Sequence, residues 1–175
     1  MEGNFFNSRG MYTEAISSYL KAQEYPEARS YAELGLGSVY FSLDEGSVAL
    51  ERFAAAADAL KAAPKARYPE LIYRIQYNTG VARFKEGDYA GASRAFRSAL
   101  EADGSRIEAK RNLELSLLSL AQKKNTQAVS QEAALASDEA RDQNAPLFEY
   151  LRQKEQNQWK SREWIEDAPP SEPDY

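Results

Sequence analysis

The feature that most constrains this chain is a repeat. Gly3 returns as Gly37 and Gly80, Ala15 as Ala49 and Ala92, Tyr19 as Phe53 and Phe96, and Ala22 as Ala56 and Ala99. All four positions are displaced by 34 residues at the first step and by 43 at the second. Ala49, Phe53 and Ala56 lie at i, i+4 and i+7, one face of an α-helix. Small residues on that face let two helices approach closely, and the aromatic between them fills the groove. Ahead of each triad runs a second helical stretch, such as residues 34–41, whose glycine is a contact point. Short turns at Arg9-Gly10-Met11, Leu43-Asp44-Glu45 and Glu86-Gly87-Asp88 join the two. Each block is therefore expected to be a helix–turn–helix hairpin that buries its apolar face only by stacking on its neighbours.

Composition narrows what such a stack does. With 22 basic and 27 acidic residues, net charge −5, the chain has no basic excess for a phosphate backbone, so nucleic acid is not expected as a partner. Cysteine and histidine are both absent. That removes thiol nucleophiles, zinc-finger ligands, Ser-His-Asp triads and imidazole acid–base chemistry. Carboxylate pairs such as Glu166-Asp167 read as solvated surface, and Asp44-Glu45-Gly46 is too short for a calcium loop. Gly35-Leu36-Gly37 falls inside a helix, not between a strand and a helix, so it is no phosphate loop. No cofactor, no metal and no enzymatic activity are expected. No apolar run reaches the roughly 20 residues of a membrane-spanning helix.

The third block, Tyr77-Asn78-Thr79-Gly80 through Phe84-Lys85-Glu86-Gly87-Asp88-Tyr89, Ala92, Phe96 and Ala99, resembles the tetratricopeptide repeat family, whose unit is 34 residues. The first block, with Gly3-Asn4, Gly10, Tyr12, Ala15, Tyr19 and Ala22, follows the same pattern, and the resemblance covers roughly residues 3–122. It implies an all-α fold: a right-handed superhelix of about three helix–turn–helix hairpins, plus a capping helix and a C-terminal helix, with a concave binding face.

Three departures from that pattern stand out. Gly3 enters block one partway along its leading helix, so about a turn and a half is missing. Two explanations stay open: a repeat that evolved short at the cap, or a chain trimmed by removal of a signal or lipid-anchor region. Nine extra residues, around 59–69, separate blocks two and three; they predict a lengthened second helix stopped at or before Pro64, then a bent connection through Pro69. The closing proline of the repeat is out of register, its place being held by Glu27, Lys61 and Gly104.

Residues 106–123 read as the first helix of a fourth unit, with Asn112-Leu113 retained and Glu114 at the glycine position. Leu113, Leu117 and Leu120 on one side and Leu115 and Leu118 on the next predict a capping helix sandwiched between neighbours. The domain plan is thus a repeat domain over 1–123, a polar linker or marginal helix over 124–145, a helix over 146–166 opened by Asn144 and Pro146, and an acidic proline-rich tail over 167–175. The Gln-rich linker and Leu147-Phe148-Glu149-Tyr150-Leu151-Arg152-Gln153-Lys154-Glu155 resemble the Bat-type tetratricopeptide proteins of bacterial aerotolerance operons. That resemblance implies a periplasmic or envelope-associated protein; from the residues alone the cytoplasm stays open.

Placed by the repeat offsets, Tyr31, Leu34, Ser38 and Phe41, then Arg74, Tyr77, Asn78, Val81 and Phe84, then Arg111, Leu115 and Leu118 should line the concave face. An aromatic groove with two guanidinium groups suits a partner peptide or helix carrying a carboxylate. Packing of Phe41 and Phe84 between repeats, and filling of the groove by the chain's own C-terminal helix, are the competing readings. The two-carboxylate clamp by which some relatives grip chaperone tails finds Asn4 and Arg74 suitable, but Gly35 and Asn78 stand where it wants Asn and Arg. Trp159 and Trp164 predict a helix that docks onto protein, in cis or on a second subunit. The expected function is a non-catalytic protein–protein interaction scaffold, with a small-ligand-binding accessory using the same groove as the alternative. The short first hairpin, exposing its neighbour's apolar side, adds an expectation of self-association.

Overall fold

A computed structural model describes residues 2–61 and 67–166, with the side chains of 137–143 and 158–166 left out. Seven α-helices and no strand are found among these residues: α1 (Glu2–Ser8), α2 (Tyr12–Ala22), α3 (Arg29–Ser42), α4 (Gly46–Ala59), α5 (Pro69–Lys85), α6 (Tyr89–Ala102) and α7 (Ile107–Glu166). The chain divides into two units, the boundary falling between Lys123 and Lys124.

The first unit is built from the repeat spacing. α1 packs on α2, α3 on α4 and α5 on α6, while α2 meets α3 and α4 meets α5. In each hairpin the repeat glycine faces the aromatic of the partner helix. A Cβ on Gly3 would meet the Tyr19 ring at 2.6 Å, one on Gly37 the Phe53 ring at 2.4 Å, and one on Gly80 the Phe96 ring at 2.6 Å. Tyr19, Phe53 and Phe96 are each 1% exposed, and the flanking alanines 15, 49, 56, 92 and 99 are fully buried. Close helix approach here requires the missing side chain.

The turns fall where the sequence places them, at residues 9–11, 43–45 and 86–88. Their middle residues all adopt positive φ: 73° at Gly10, 65° at Asp44 and 73° at Gly87. The second turn thus uses Asp where the others use Gly. Its carboxylate lies 2.5 Å from Lys85 Nζ, which holds it below its ordinary pKa.

Two expectations about helix ends need correction. α4 stops at Ala59, the residue equivalent to Ala102 at the end of α6. The second helix of block two is therefore not lengthened, and the expected stop at Pro64 lies outside the described residues. Pro69 opens α5 instead of bending that connection, because a proline at the first helical position has no donor to waste. Pro146 likewise does not open a new helix but lies inside α7, which runs unbroken from Ile107 to Glu166. It forfeits one i→i−4 bond in a run otherwise rich in Ala, Gln, Glu and Arg, all good helix formers.

The start of α7 joins the first unit. Asn112 Nδ2 donates to Tyr77 Oη (3.0 Å), Tyr73 Oη donates to Glu108 (2.9 Å), and Lys123 Nζ donates to the Gly87 carbonyl (3.0 Å). Arg106 lies 4.6 Å over the Tyr73 ring and pairs with Glu70 and with Asp103, the latter at 2.6 Å. The buried face here is Ala109 and Ser116, both at 0% exposure. Leu115, Leu117 and Leu118 are 48%, 44% and 62% exposed, so the helix is not sandwiched by its leucines as the pattern suggested. Ala109 packs with Tyr73 of α5 and Ala99 of α6; Leu113 and Leu120 are half-buried, and Leu115, Leu117 and Leu118 are left on the outside.

The second unit is helical to Glu166. Its described residues at 124–136 and 144–157 are exposed throughout, including Leu147, Phe148, Tyr150 and Leu151. Trp159 and Trp164 belong to the helix, but their side chains lie outside the described residues, as does the whole 167–175 tail.

Candidate functional site

The leading helices α1, α3 and α5 and the start of α7 carry two recesses. The first, about 250 Å³, gathers Asn4, Asn7 and Ser8 from α1, Tyr19 from α2, Tyr31, Leu34, Gly35 and Ser38 from α3, and Arg74 from α5. The second, about 90 Å³, gathers Val81, Phe84 and Phe96 with Asn112 and Leu115. Four of the groove residues expected from the sequence, Tyr31, Leu34, Ser38 and Arg74, therefore meet in one recess, and Val81, Phe84 and Leu115 meet in the other.

The remaining expected residues sit differently. Phe41 packs against the core of Leu34, Phe53, Leu71 and Ile75, with Lys85 Nζ 5.1 Å above its ring. Tyr77 stacks on Tyr73 (5.7 Å), meets Phe96 edge-on (5.6 Å) and accepts from Asn112, so it serves the α5–α7 contact. Asn78 donates to Ser38 Oγ at 3.4 Å, linking α5 to α3. Arg111 is exposed and lines neither recess. Leu118 lines a separate apolar depression with Leu100, Leu113 and Leu117. A larger recess of about 520 Å³ lies between α4, α5 and α6, lined by Ala57, Leu60, Ile72, Ile75 and Ser98 among others, and contains none of the expected groove residues.

The first recess has a polarity that the sequence pattern did not reveal. Tyr19 Oη donates to Asn4 Oδ1 at 2.7 Å. Ser38 Oγ donates to the Leu34 carbonyl (3.0 Å) and Ser8 Oγ to the Phe5 carbonyl (2.8 Å), so both hydroxyl protons are spent inside their own helices. Asn7 Oδ1 is buried and has no hydrogen-bond partner. Among the described residues Arg74 forms no ion pair, and no Asp or Glu lines the recess. Burial holds the Tyr19 hydroxyl above the ordinary phenol range, and the Arg74 guanidinium works against that rise. The one sequence signal for this arrangement was Tyr at the position where the later blocks have Phe.

Among the described residues no group of three or more Asp, Glu, His or Cys could hold a metal ion, and no helix is long and apolar enough to cross a membrane. Three stacked hairpins with a fourth leading helix make a helical scaffold of tetratricopeptide type. No family model and no curated protein sequence matches the chain. Among solved structures it is similar to the first TPR domain of human RPAP3, at 26% identity and a TM-score of 0.60, covering 71% of this chain and 91% of that one. The Sgt2 TPR domain from Aspergillus fumigatus matches at 25% identity and 0.59, covering 71% and 78%. The first TPR of Spaghetti (RPAP3), bound to the HSP90 peptide SRMEEVD, matches at 23% and 0.58, covering 69% and 88%.

Proposed function

We propose that the repeat unit is a scaffold that holds a segment of a partner protein along α1, α3, α5 and the start of α7. The observation that carries this is the pair of recesses on the leading helices, one polar around an Arg74 that has no ion pair among the described residues, the other apolar around Phe84 and Leu115. Such a surface suits a peptide with an acidic group at one point and an apolar side chain at another. The first TPR of Spaghetti (RPAP3), a domain of similar fold, is bound to the HSP90 peptide SRMEEVD. Gly35 and Asn78 stand here where the two-carboxylate clamp wants Asn and Arg, which favours a partner other than a chaperone tail.

The test is capture of partners by the full chain and by an Arg74→Gln/Phe84→Ala double variant. Partners held by the wild type and lost by the variant support the reading; partners held equally by both refute it. We also propose that the protein works in a bacterial cell envelope, in the manner of the Bat-type proteins. The order of repeats, Gln-rich stretch and the 147–155 segment support this, and fractionation of the source cells tests it.

A further inference from the structure

We propose that the apolar depression at the start of α7 is the seat for residues 148–155 of a second copy of this chain, which lie there antiparallel as the missing second helix of a fourth hairpin. The depression, about 380 Å³, is lined by Leu100 of α6 and by Lys110, Leu113, Glu114, Leu117 and Leu118 of α7. One repeat of 34 residues carries Gln76 to Lys110, Gly80 to Glu114 and Arg83 to Leu117. In the third hairpin those three positions face the second helix. Gln76 shares a recess with Ser98 and Glu101, a Cβ on Gly80 would meet the Phe96 ring at 2.6 Å, and Arg83 pairs with Asp88, the cap of α6, at 2.7 Å. Lys110, Glu114 and Leu117 therefore mark the side of α7 on which its own hairpin partner would pack. The chain does not turn back to supply one: Leu120-Ala121-Gln122 stands in place of Glu86-Gly87-Asp88, and α7 continues to Glu166. This side is distinct from the peptide-binding surface, toward which Leu115 turns with Phe84.

Charge and spacing identify the occupant. The hairpins of the stack pair their helices antiparallel, so a partner reads the seat backwards: Leu117, then Glu114, then Lys110. It must offer an apolar, a basic and an acidic side chain in that order on one helix face. Phe148, Arg152 and Glu155 do so, at the same i, i+4, i+7 spacing as Lys110, Glu114 and Leu117. Leu151 then falls opposite Leu113. All four charged residues are exposed, and none forms an ion pair among the described residues. Phe148 and Leu151 are exposed as well, so seat and segment each leave apolar surface in water. Both belong to α7, and one helix cannot run antiparallel to itself, so the segment comes from a second copy. The exchange is reciprocal, about a two-fold axis between Glu132 and Ala133. The same register sets Val129 opposite Ala136, both exposed, which continues the apolar contact along the pair.

The test uses the full chain, which contains no cysteine. Sedimentation equilibrium should give twice the 19.6 kDa mass of one chain. Glu114→Arg and Arg152→Glu each bring like charges together and should weaken the dimer about tenfold, whereas the two combined should return it to within about threefold of wild type. Both changes are at exposed positions, and an unchanged melting curve for the repeat unit shows that the fold persists. In a Leu117→Cys/Phe148→Cys chain, mild oxidation should give a cross-linked species of dimer mass. A cross-linked species of single-chain mass would place the segment on its own chain and overturn the proposal. A monomer at every concentration, a dimer indifferent to the single charge reversals, or a double variant no tighter than the singles overturns it too.

Discussion

Gly37→Ala is the sharpest probe of how this stack is held together. A methyl group at position 37 would lie 2.4 Å from Phe53 Cε1 and 2.5 Å from Cδ1. Carbon atoms settle at about 3.5–4.0 Å, so the ring must retreat by roughly 1 Å. It has nowhere to go: Phe53 is 1% exposed and sits in a core with Leu34, Ala49, Ala56, Leu71 and Ile75. Overpacking of this kind costs about 1–3 kcal/mol. Replacing a helical glycine by alanine returns about 0.5–1 kcal/mol of backbone entropy and propensity. The net expectation is a loss of about 1–2 kcal/mol, a fall of roughly 3–10 °C in melting temperature for a unit of this size. Urea unfolding of wild type and variant reads the difference as a lower midpoint at unchanged slope. Gly46→Ala is the control, because the new methyl would meet only the exposed, flexible end of Glu86, at 2.0 Å from Oε1, and should be close to neutral. Adding Phe53→Leu to Gly37→Ala should recover part of the loss, giving a favourable coupling in a double-mutant cycle. A Gly37→Ala chain as stable as wild type would refute the claim that the repeat glycines exist to admit the ring.

Asp88 caps α6, accepting from Gly91 N at 2.8 Å and from Arg83 Nη1 at 2.7 Å, and Asp88→Ala should cost about 1 kcal/mol in the same unfolding assay. The Gly91 bond is the main cause holding the Asp88 carboxyl below its usual range, and bonds from Ser105 and Arg106 hold Asp103 at about 2. Both groups therefore add stability above the ordinary carboxylate range, and that contribution is lost as pH falls below it, through about 2 for Asp103, which an acid titration followed by circular dichroism would record. At the other extreme, burial and the bond to Glu108 raise the Tyr73 hydroxyl, so ultraviolet titration should show Tyr73 among the last tyrosines to ionise, with stability declining above pH about 10. Phe5, Leu20 and Tyr25 of the first hairpin region are 52%, 51% and 59% exposed, and light scattering should show, beyond any dimer, a concentration-dependent growth that Leu20→Glu abolishes; a mass that stays constant at high concentration would sink that idea.

The hairpins were legible because the spacing of Gly, Ala and aromatic residues is dictated by helix contact, and the three turns lie between fixed points on either side. Where no packing contact fixes an end, the pattern misled. The alanine run after Phe53 has high helix propensity, yet α4 ends at Ala59, one helix length after Gly46 and level with the end of α6. Pro146 carries a strong start signal that good helix formers on both sides override. The leucines of 113–120 suggested two buried faces, but Ala109 and Ser116 do the close packing. The recesses lie on the leading helices that the offsets pick out, but the offsets do not tell which side chains line them. Offsets place a residue on a face, whereas whether it lines a recess, as Arg74 does, or closes a contact, as Tyr77 does, depends on its neighbours' size.

The first recess draws three of its residues from α1, a helix of only 7 residues. Two turns of helix are too short to persist in water by themselves, so α1 is kept folded by its seat on α2, with Gly3 against Tyr19. An element held by few buried contacts is one that opens readily. Whenever α1 opens, Asn4, Asn7 and Ser8 leave together and the recess ceases to exist. Occupancy of the site and order at this end of the stack are thus one equilibrium seen from two sides: a ligand seated by Arg74 slows amide exchange in α1, and any substitution that loosens α1 weakens binding in proportion to the fraction of molecules left open.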